Sequence, residues 1–412
     1  MRKLIIYACV MFMLLIVGQG GFSFSQTESM SNNYRWSLLK WEVANLPDKW
    51  VYKVKQLVPW YNITFSDKDD LQRFFDVSTE ISRVKALNVG GIADRGIVSA
   101  TGMADTERLD EMISLQTRLK PRIEESLETH VSEALEKEGL ESNLGILWPP
   151  VDVALERPPS LLVISPRNII RRQQSLLLRP NIIISQRDKL EKRITSEENL
   201  SALVIDIGGI ATYPSIVAPT HGLRESLVII VHEWLHQYWF FKPLGRNYWL
   251  DDNTTILNES AADMIADEMG GHIFRNIVGL DVDVSDHESD ITDQSGFVFP
   301  DEMRATRLEV EQLLKQGRVQ DAELYMEQRR RLFVDQGYQI RKLNQAYFAF
   351  HGTYAGTPAS ISPIKEELQF FRSSTYDIGD FVRQLAQFSN YAEFKEHIVM
   401  MSNYENAEEV GD

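Results

Sequence analysis

"VIIVHEWLHQYWFF", residues 228–241, carries an uninterrupted apolar run into two histidines and a glutamate before the aromatic residues resume. Ionisable groups inside an apolar helix are costly unless they are hydrogen-bonded, neutralised or bound to a metal, so this helix calls for a partner. His232 and His236 stand four positions apart. On a helix of about 3.6 residues per turn that is roughly 40° of rotation, so both imidazoles leave one face on successive turns. The spacing suits two ligands of a single metal ion. Glu233, one position further round, is near such an ion but poorly placed to be its third ligand. That is where a general base acting on water belongs.

The chain has 412 residues, enough for two or three lobes and a sizeable core, and its 43% apolar and 25% charged residues are ordinary globular usage. A disordered or fibrous chain is excluded. The formal net charge of −16 is spread along the sequence and no Lys/Arg block exceeds a few residues, which argues against nucleic acid or anionic lipid as a partner. The longest basic clusters, "RNIIRR" at 167–172 and "QRRR" at 328–331, read as solvated helix faces.

Residues 1–25 read as a signal peptide or membrane anchor. Arg2 and Lys3 precede an apolar run, residues 4–17, and small and polar residues follow. As a helix that run spans about 21 Å, short of the roughly 30 Å hydrocarbon core, and extension to Phe24 would reach it. Ser23, Phe24 and Ser25 offer cleavage before Gln26, although the A-x-A form is absent. Cys9 is the only cysteine, and too few apolar residues precede it for a lipoprotein acceptor. The remainder therefore has no disulfide, cysteine nucleophile or thiolate zinc site. The expected location is extracytoplasmic, secreted or held at the membrane by the N-terminal segment.

A helical region is expected over 26–145, with helices in "WSLLKWEVANL", "PDKWVYKVKQLV" and "DKDDLQRFFDVSTEISRVKAL", the last capped by Asp67. The glycines of "VGGIADRGIVSATG" at 89–102 do not follow the phosphate-cradling order, so it reads as a loop. Residues 104–139 return to helix with a stop at Pro121. From 146 to 300 the period changes: "VDVALE", "SLLVIS", "NIIIS" and "ALVIDI" suggest one small mixed sheet with a helix at 186–196. In "GGIATYPSIVAPTHG", Pro214 suits an edge strand or loop better than a central strand. A buried helix at 223–241 and another at 257–270 follow. "DVDVSDHESDITD" at 281–293 resembles a calcium loop, but Asp286 stands where its glycine belongs and Thr292 where its glutamate belongs. Residues 301–412 are mostly helical, broken at Gly317, Gly337 and "HGTYAGTPASISP", with "LLKQGRVQDAELYMEQRR" a single helical hairpin. The fold class is α+β, mostly helical with a small mixed sheet.

A catalytic zinc keeps three protein ligands and one open position. A third histidine in the form HExxHxxGxxH is excluded, because "QYWFFK" follows His236. Downstream, "LNESAADMIADE" reads as a helix with Glu259 and Asp263 four apart on one face. With His232, Glu233 and His236 in "HEWLH" and Asn258, Glu259 and Asp263 in "NESAAD", residues 228–270 resemble the gluzincin metallopeptidases, of which the thermolysin-like and membrane-associated ExxAD peptidases are examples. No particular family is assigned. The resemblance implies a gluzincin-like zinc peptidase core and a zinc ion held by His232, His236 and Glu259. It also implies that Asp263 accepts an imidazole N–H, fixing its tautomer.

The implied activity is hydrolysis of a peptide or protein substrate by zinc-activated water, with Glu233 as general base. The oxyanion needs a second donor. His351 and Tyr354, in the polar break "FAFHGTYAGT", are the candidates, since gluzincins commonly supply such a residue from beyond the zinc helices; Tyr248 and Tyr213 come after them. "GGIATYPSIVAP" is a candidate edge strand for pairing with extended substrate. His130, His221, His272, His287 and His397 show no ligand spacing with any partner. The alternative is a non-catalytic zinc- or peptide-binding protein on a peptidase fold at the membrane surface. Its usual trace is loss of the general base, and Glu233 is present.

Overall fold

The computed structural model describes residues 25–42, 68–91, 101–142, 144–279 and 297–409. The apolar N-terminal run, the 47–58 segment, Asp67, residues 92–100 of the glycine-rich stretch and the acidic 281–293 stretch lie outside them. In chain order the elements are α1 (Gln26–Ser31), α2 (Lys68–Gly91), α3 (Thr101–Lys137), β1 (Val153–Leu155), β2 (Ser160–Pro166), β3 (Gln174–Leu178), α4 (Ile184–Glu198), β4 (Leu200–Asp206), β5 (Gly209–Ile210) and β6 (Ser215–Val217). There follow α5 (Gly222–Trp239), α6 (Pro243–Arg246), α7 (Asp252–Val278), α8 (Phe299–Lys315), α9 (Val319–Asp335), α10 (Gln345–His351), α11 (Ile364–Ser373), α12 (Ile378–Leu385) and α13 (Tyr391–Glu409). The fold is mostly helical with small sheets, an α+β arrangement.

The helix expected at 257–270 is the middle of the longer α7. Asp251 caps its start by accepting from the Thr254 N–H, and Gly279, with φ 70°, ends it in the left-handed conformation. α5 and α7 lie antiparallel, with Val228 against Gly270, His232 against Asp263 and His236 against Glu259 on successive turns. A Cβ on Gly270 would stand 2.8 Å from both the N and Cα of Val228, so only glycine lets the backbones come this close. Ala261, Ala262 and Ala266, all fully buried, extend the close contact along α7. Leu227, Ile230, Trp234 and Trp239 of α5 bury the rest of the seam, and the Trp234 indole N–H donates to the Pro149 carbonyl at 2.8 Å.

Around this pair the largest core also takes in residues of α2, α3, α11, α12 and α13. α3 runs straight through Pro121, where a stop was expected. Proline inside a helix costs about 3 kcal/mol, whereas each fully buried Leu, Ile or Val side chain contributes about 1.5–3 kcal/mol. Ile123, Leu127, Val131 and Leu135, four apart and buried to 0% exposure, outweigh that cost.

The strands form two three-stranded sheets rather than one. β3-β2-β4 is antiparallel throughout; in β1-β6-β5, β1 pairs parallel with β6 and β5 pairs antiparallel with it. β6 is the central strand, Pro214 stands just before it, and β5 is an edge. "NIIIS" is not a strand: Pro180 and Asn181, with φ 67°, turn the chain, and Ile184 already opens α4. Its β-branched run misled the composition reading, and the third strand is "QSLLL" instead. Likewise "RNIIRR" is no helix face; it lies in the connection between β2 and β3. The hairpin α8–α9 forms as expected, turning at Gly317 with φ 74°, and its core with Phe348 and Ala359 is separate from the main one. No helix among the described residues is long and apolar enough to cross a membrane.

Two adjacent glycines of α7 test this packing. Gly270→Ala should destabilise the protein by about 1–3 kcal/mol, because the Val228 backbone has to move. Gly271→Ala, whose Cβ would meet its nearest atom at 3.5 Å, should stabilise it by up to about 1 kcal/mol through helix propensity. Urea unfolding midpoints distinguish the two, and equal signs would contradict the close crossing.

Candidate metal centre

The antiparallel register of α5 and α7 brings three ligand-type atoms together. His232 Nε2 and His236 Nε2 are 3.0 Å apart, and Glu259 Oε2 is 3.6 and 3.7 Å from them. Donors held about 2.0–2.2 Å from one tetrahedral ion lie roughly 3.4 Å from each other, so one ion satisfies all three distances. Asp263 Oδ1 is 3.0 Å from His232 Nδ1, a contact that favours a proton on that nitrogen and turns Nε2 toward the cluster. Two imidazole lone pairs facing each other at 3.0 Å repel unless a proton or a cation lies between them. The His232, His236 and Glu259 group could therefore hold a metal ion.

Burial disfavours charge on His232, yet its contacts with Asp263 and Glu259 raise its pKa well above the ordinary histidine value. Glu259 is opposed by burial too, but His236 and His232 hold its carboxyl well below the usual range. Glu233 is buried and stands outside the three-atom group; burial pushes its carboxyl up, against the pull of His232 and His236. The edge strand β5 runs against it. A Cβ on Gly209 would lie 2.7 Å from Glu233 Oε1, so a side chain there would displace the carboxylate.

Tyr248 reaches this centre in a different role from the one expected. Its hydroxyl donates to Glu259 Oε1, the oxygen not facing the histidines. Its own backbone carbonyl accepts from Thr255 Oγ1 at 2.6 Å. Arg172 Nη2 stands 3.4 Å from the Tyr248 hydroxyl, and its guanidinium lies 5.3 Å over the Trp249 ring.

The structure separates the two candidates in "FAFHGTYAGT". The Tyr354 ring centroid is 6.4 Å from that of His232, and its phenol is pushed well up by burial and then by the Glu259 and Asp263 carboxylates. The next residue fixes this position: the buried Ala355 N–H donates to Ser260 Oγ of α7 at 2.7 Å. His351 has Tyr347 and Phe350 as ring neighbours, at 4.2 and 5.2 Å, and burial pulls its imidazole down to about 4. Among the described residues no hydrogen bond or ion pair joins it to the ligand group. Tyr213 is buried in the turn before β6, beside Thr212 and Ser215, which accept from Gln237 of α5.

Sequence reading missed Gly209, Ser260 and Arg172. The first two sit in stretches already singled out, "GGIA" and "NESAAD", and only three-dimensional contact reveals what each touches. Arg172 stands in the basic cluster "RNIIRR", which in sequence reads as a solvated helix face, and its approach to Tyr248 depends on the β2–β3 pairing.

Because a metal ion and protons compete for His232 and His236, binding should release protons and weaken as pH falls through the raised His232 pKa. Calorimetric zinc titrations in two buffers of different ionisation enthalpy would read the proton release; equal apparent heats would contradict it. No protein-family model, curated protein or solved structure matches the chain, so its chemistry rests on these contacts alone.

Proposed function

We propose that the chain is a zinc-dependent peptidase of gluzincin type, acting on peptide or protein substrates. The observation that carries this reading is the convergence of His232 Nε2, His236 Nε2 and Glu259 Oε2 within 3.7 Å, with the Glu233 carboxylate beside them but outside the set. Two imidazoles and one carboxylate, with a hydrogen-bonded carboxylate behind one imidazole, is a donor set typical of catalytic zinc. Bound zinc would supply Lewis acidity toward a carbonyl oxygen and lower the pKa of water.

The chain's own residues do the rest. Glu233 accepts a proton at its carboxylate and later delivers it to the leaving amine, and burial, which raises its carboxyl, favours its taking that proton. Asp263 holds the His232 ring in one tautomer. Tyr248 holds Glu259 by the oxygen turned away from the histidines. β5, an edge strand lying against Glu233, supports pairing with an extended substrate backbone. Tyr354, beside His232, is the better-placed donor for a developing oxyanion; His351 remains the second candidate. The N-terminal segment, as a signal or anchor, would place this activity outside the cytoplasm.

Separating metal retention from turnover tests the assignment. Glu259→Ala and His236→Ala should lose zinc by elemental analysis, while Glu233→Gln should keep it stoichiometrically and cleave no member of a peptide library. Asp263→Asn should hold zinc about 10- to 100-fold less tightly. Full turnover by Glu233→Gln, or stoichiometric zinc in Glu259→Ala, contradicts these roles. Tyr354→Phe removes one hydroxyl at nearly constant volume. If it donates to the oxyanion, kcat and kcat/KM should fall alike by about 10²–10³, with zinc retained and KM little changed. A near-normal kcat would move the search to His351.

A further inference from the structure

Arg172 is a half-buried cation near the candidate metal centre that makes no direct ion pair among the described residues; the Glu259 carboxylate acts on it only at longer range, beyond the Tyr248 hydroxyl. Arginines nearby are differently placed: Arg167 grips Glu323 at 2.6 and 2.7 Å, and Arg187 reaches Asp206 at 2.8 Å. No described carboxylate lies within ion-pair distance of Arg172. Its single hydrogen bond, to the Tyr248 hydroxyl, is long at 3.4 Å. A guanidinium carries five N–H donors in a planar fork, and leaving a partly desolvated one unpaired is costly unless something else occupies it.

The surroundings fix where that fork is presented. Its centre lies 5.3 Å over the ring of Trp249, and Trp249 is itself 76% exposed, so the pair borders solvent. A guanidinium held over an aromatic ring by its charge still has N–H donors to offer, and a carboxylate can take two of them at once. Tyr248 links Arg172 to Glu259 Oε1, while Glu259 Oε2 faces the histidines. The guanidinium is thus on the outer side of the ligand carboxylate, near the centre but away from where a carbonyl would be polarised. Consecutive residues of a peptide are about 3.8 Å apart, and one tyrosine hydroxyl is all that separates the guanidinium from the Glu259 carboxylate, so the two sites are a few residues of extended peptide apart at most.

We propose that Arg172 anchors a carboxylate of the substrate, a free C-terminal carboxylate or an acidic side chain, beside the bond to be cleaved. The proposal rests on the peptidase reading above. It makes Arg172 a specificity-determining residue, with Trp249 as its support.

The test is binding, measured by calorimetry on the zinc-loaded full chain carrying Glu233→Gln, so that no probe is consumed. N-acetyl-Ala-Phe is compared with its C-terminal amide, and N-acetyl-Ala-Glu amide with N-acetyl-Ala-Gln amide; the first pair reports an α-carboxylate and the second a side-chain carboxylate. At least one acid should bind about 10- to 100-fold more tightly than its neutral counterpart. Adding Arg172→Met should remove that difference, with zinc content unchanged, and Arg172→Lys should restore part of it. Arg172→Gln serves if the methionine variant does not fold. Equal binding within both pairs, no binding by any probe, or a preference that survives Arg172→Met overturns the anchor. So does loss of zinc from Arg172→Met, which would make the residue a support for Tyr248 and Glu259. Peptide cleavage by the unaltered chain is read separately. A chain that prefers acids yet cleaves nothing would sink the peptidase reading and keep the anion site; cleavage without acid preference would do the reverse.

Discussion

The close antiparallel contact between α5 and α7 is what the candidate metal centre depends on. Each helix alone presents only part of a ligand set: two imidazoles four apart on one, two carboxylates four apart on the other. Facing registers turn these into a cluster, and the registers are set where Gly270 admits the Val228 backbone and alanines continue the seam. Interior packing is too dense to leave the spacing of such helices adjustable by more than small fractions of a side chain. The ligand distances therefore follow from apolar contacts about one to three turns away, which no candidate ligand residue makes.

The same contact decides which polar groups need compensation. Burying His232, His236, Glu233 and Glu259 between these helices is costly, and two of them have an identifiable answer: Asp263 for His232, the histidines and Tyr248 for Glu259. Tyr248 comes from the connection between the helices and Tyr354 from beyond the α8–α9 hairpin, tethered to α7 through Ser260 and Ala355. Segments far apart in sequence thus act on one carboxylate and one imidazole, and the tethers are local hydrogen bonds rather than extra elements.

How much of this was legible in the sequence follows from the range of the forces involved. His232, His236, Glu259 and Asp263 were readable because helical periodicity is local: four-residue spacing puts side chains on one face whatever surrounds the helix. The helices of the C-terminal region and their glycine breaks were readable for the same reason. Pro121 misled because its local cost is outweighed by burial that depends on partners far away in sequence. "NIIIS" misled because β-branched residues record burial as much as strand, and Ile182 is buried without pairing. Arg172 was unreadable because a strand pairing carries it to Tyr248 across 76 positions.

The two buried glutamates differ by environment alone. Nothing in the side chain distinguishes Glu233 from Glu259, and both are almost fully enclosed. Glu259 has two imidazoles and a phenol directed at it, so its charged form is favoured and its carboxyl lies well below the usual range. Glu233 is packed against Ile229 and the backbone of β5 at Gly209, and burial raises it. Opposed shifts in neighbouring carboxyls suit the two roles proposed: a carboxyl held low favours the anionic form that a metal ligand needs, and one raised by burial takes up a proton more readily. In the proposed peptidase the position of the Glu233 carboxylate depends on a glycine. Had β5 carried a side chain at 209, the carboxylate would have had to leave the position where it can serve both the edge strand's substrate and the metal.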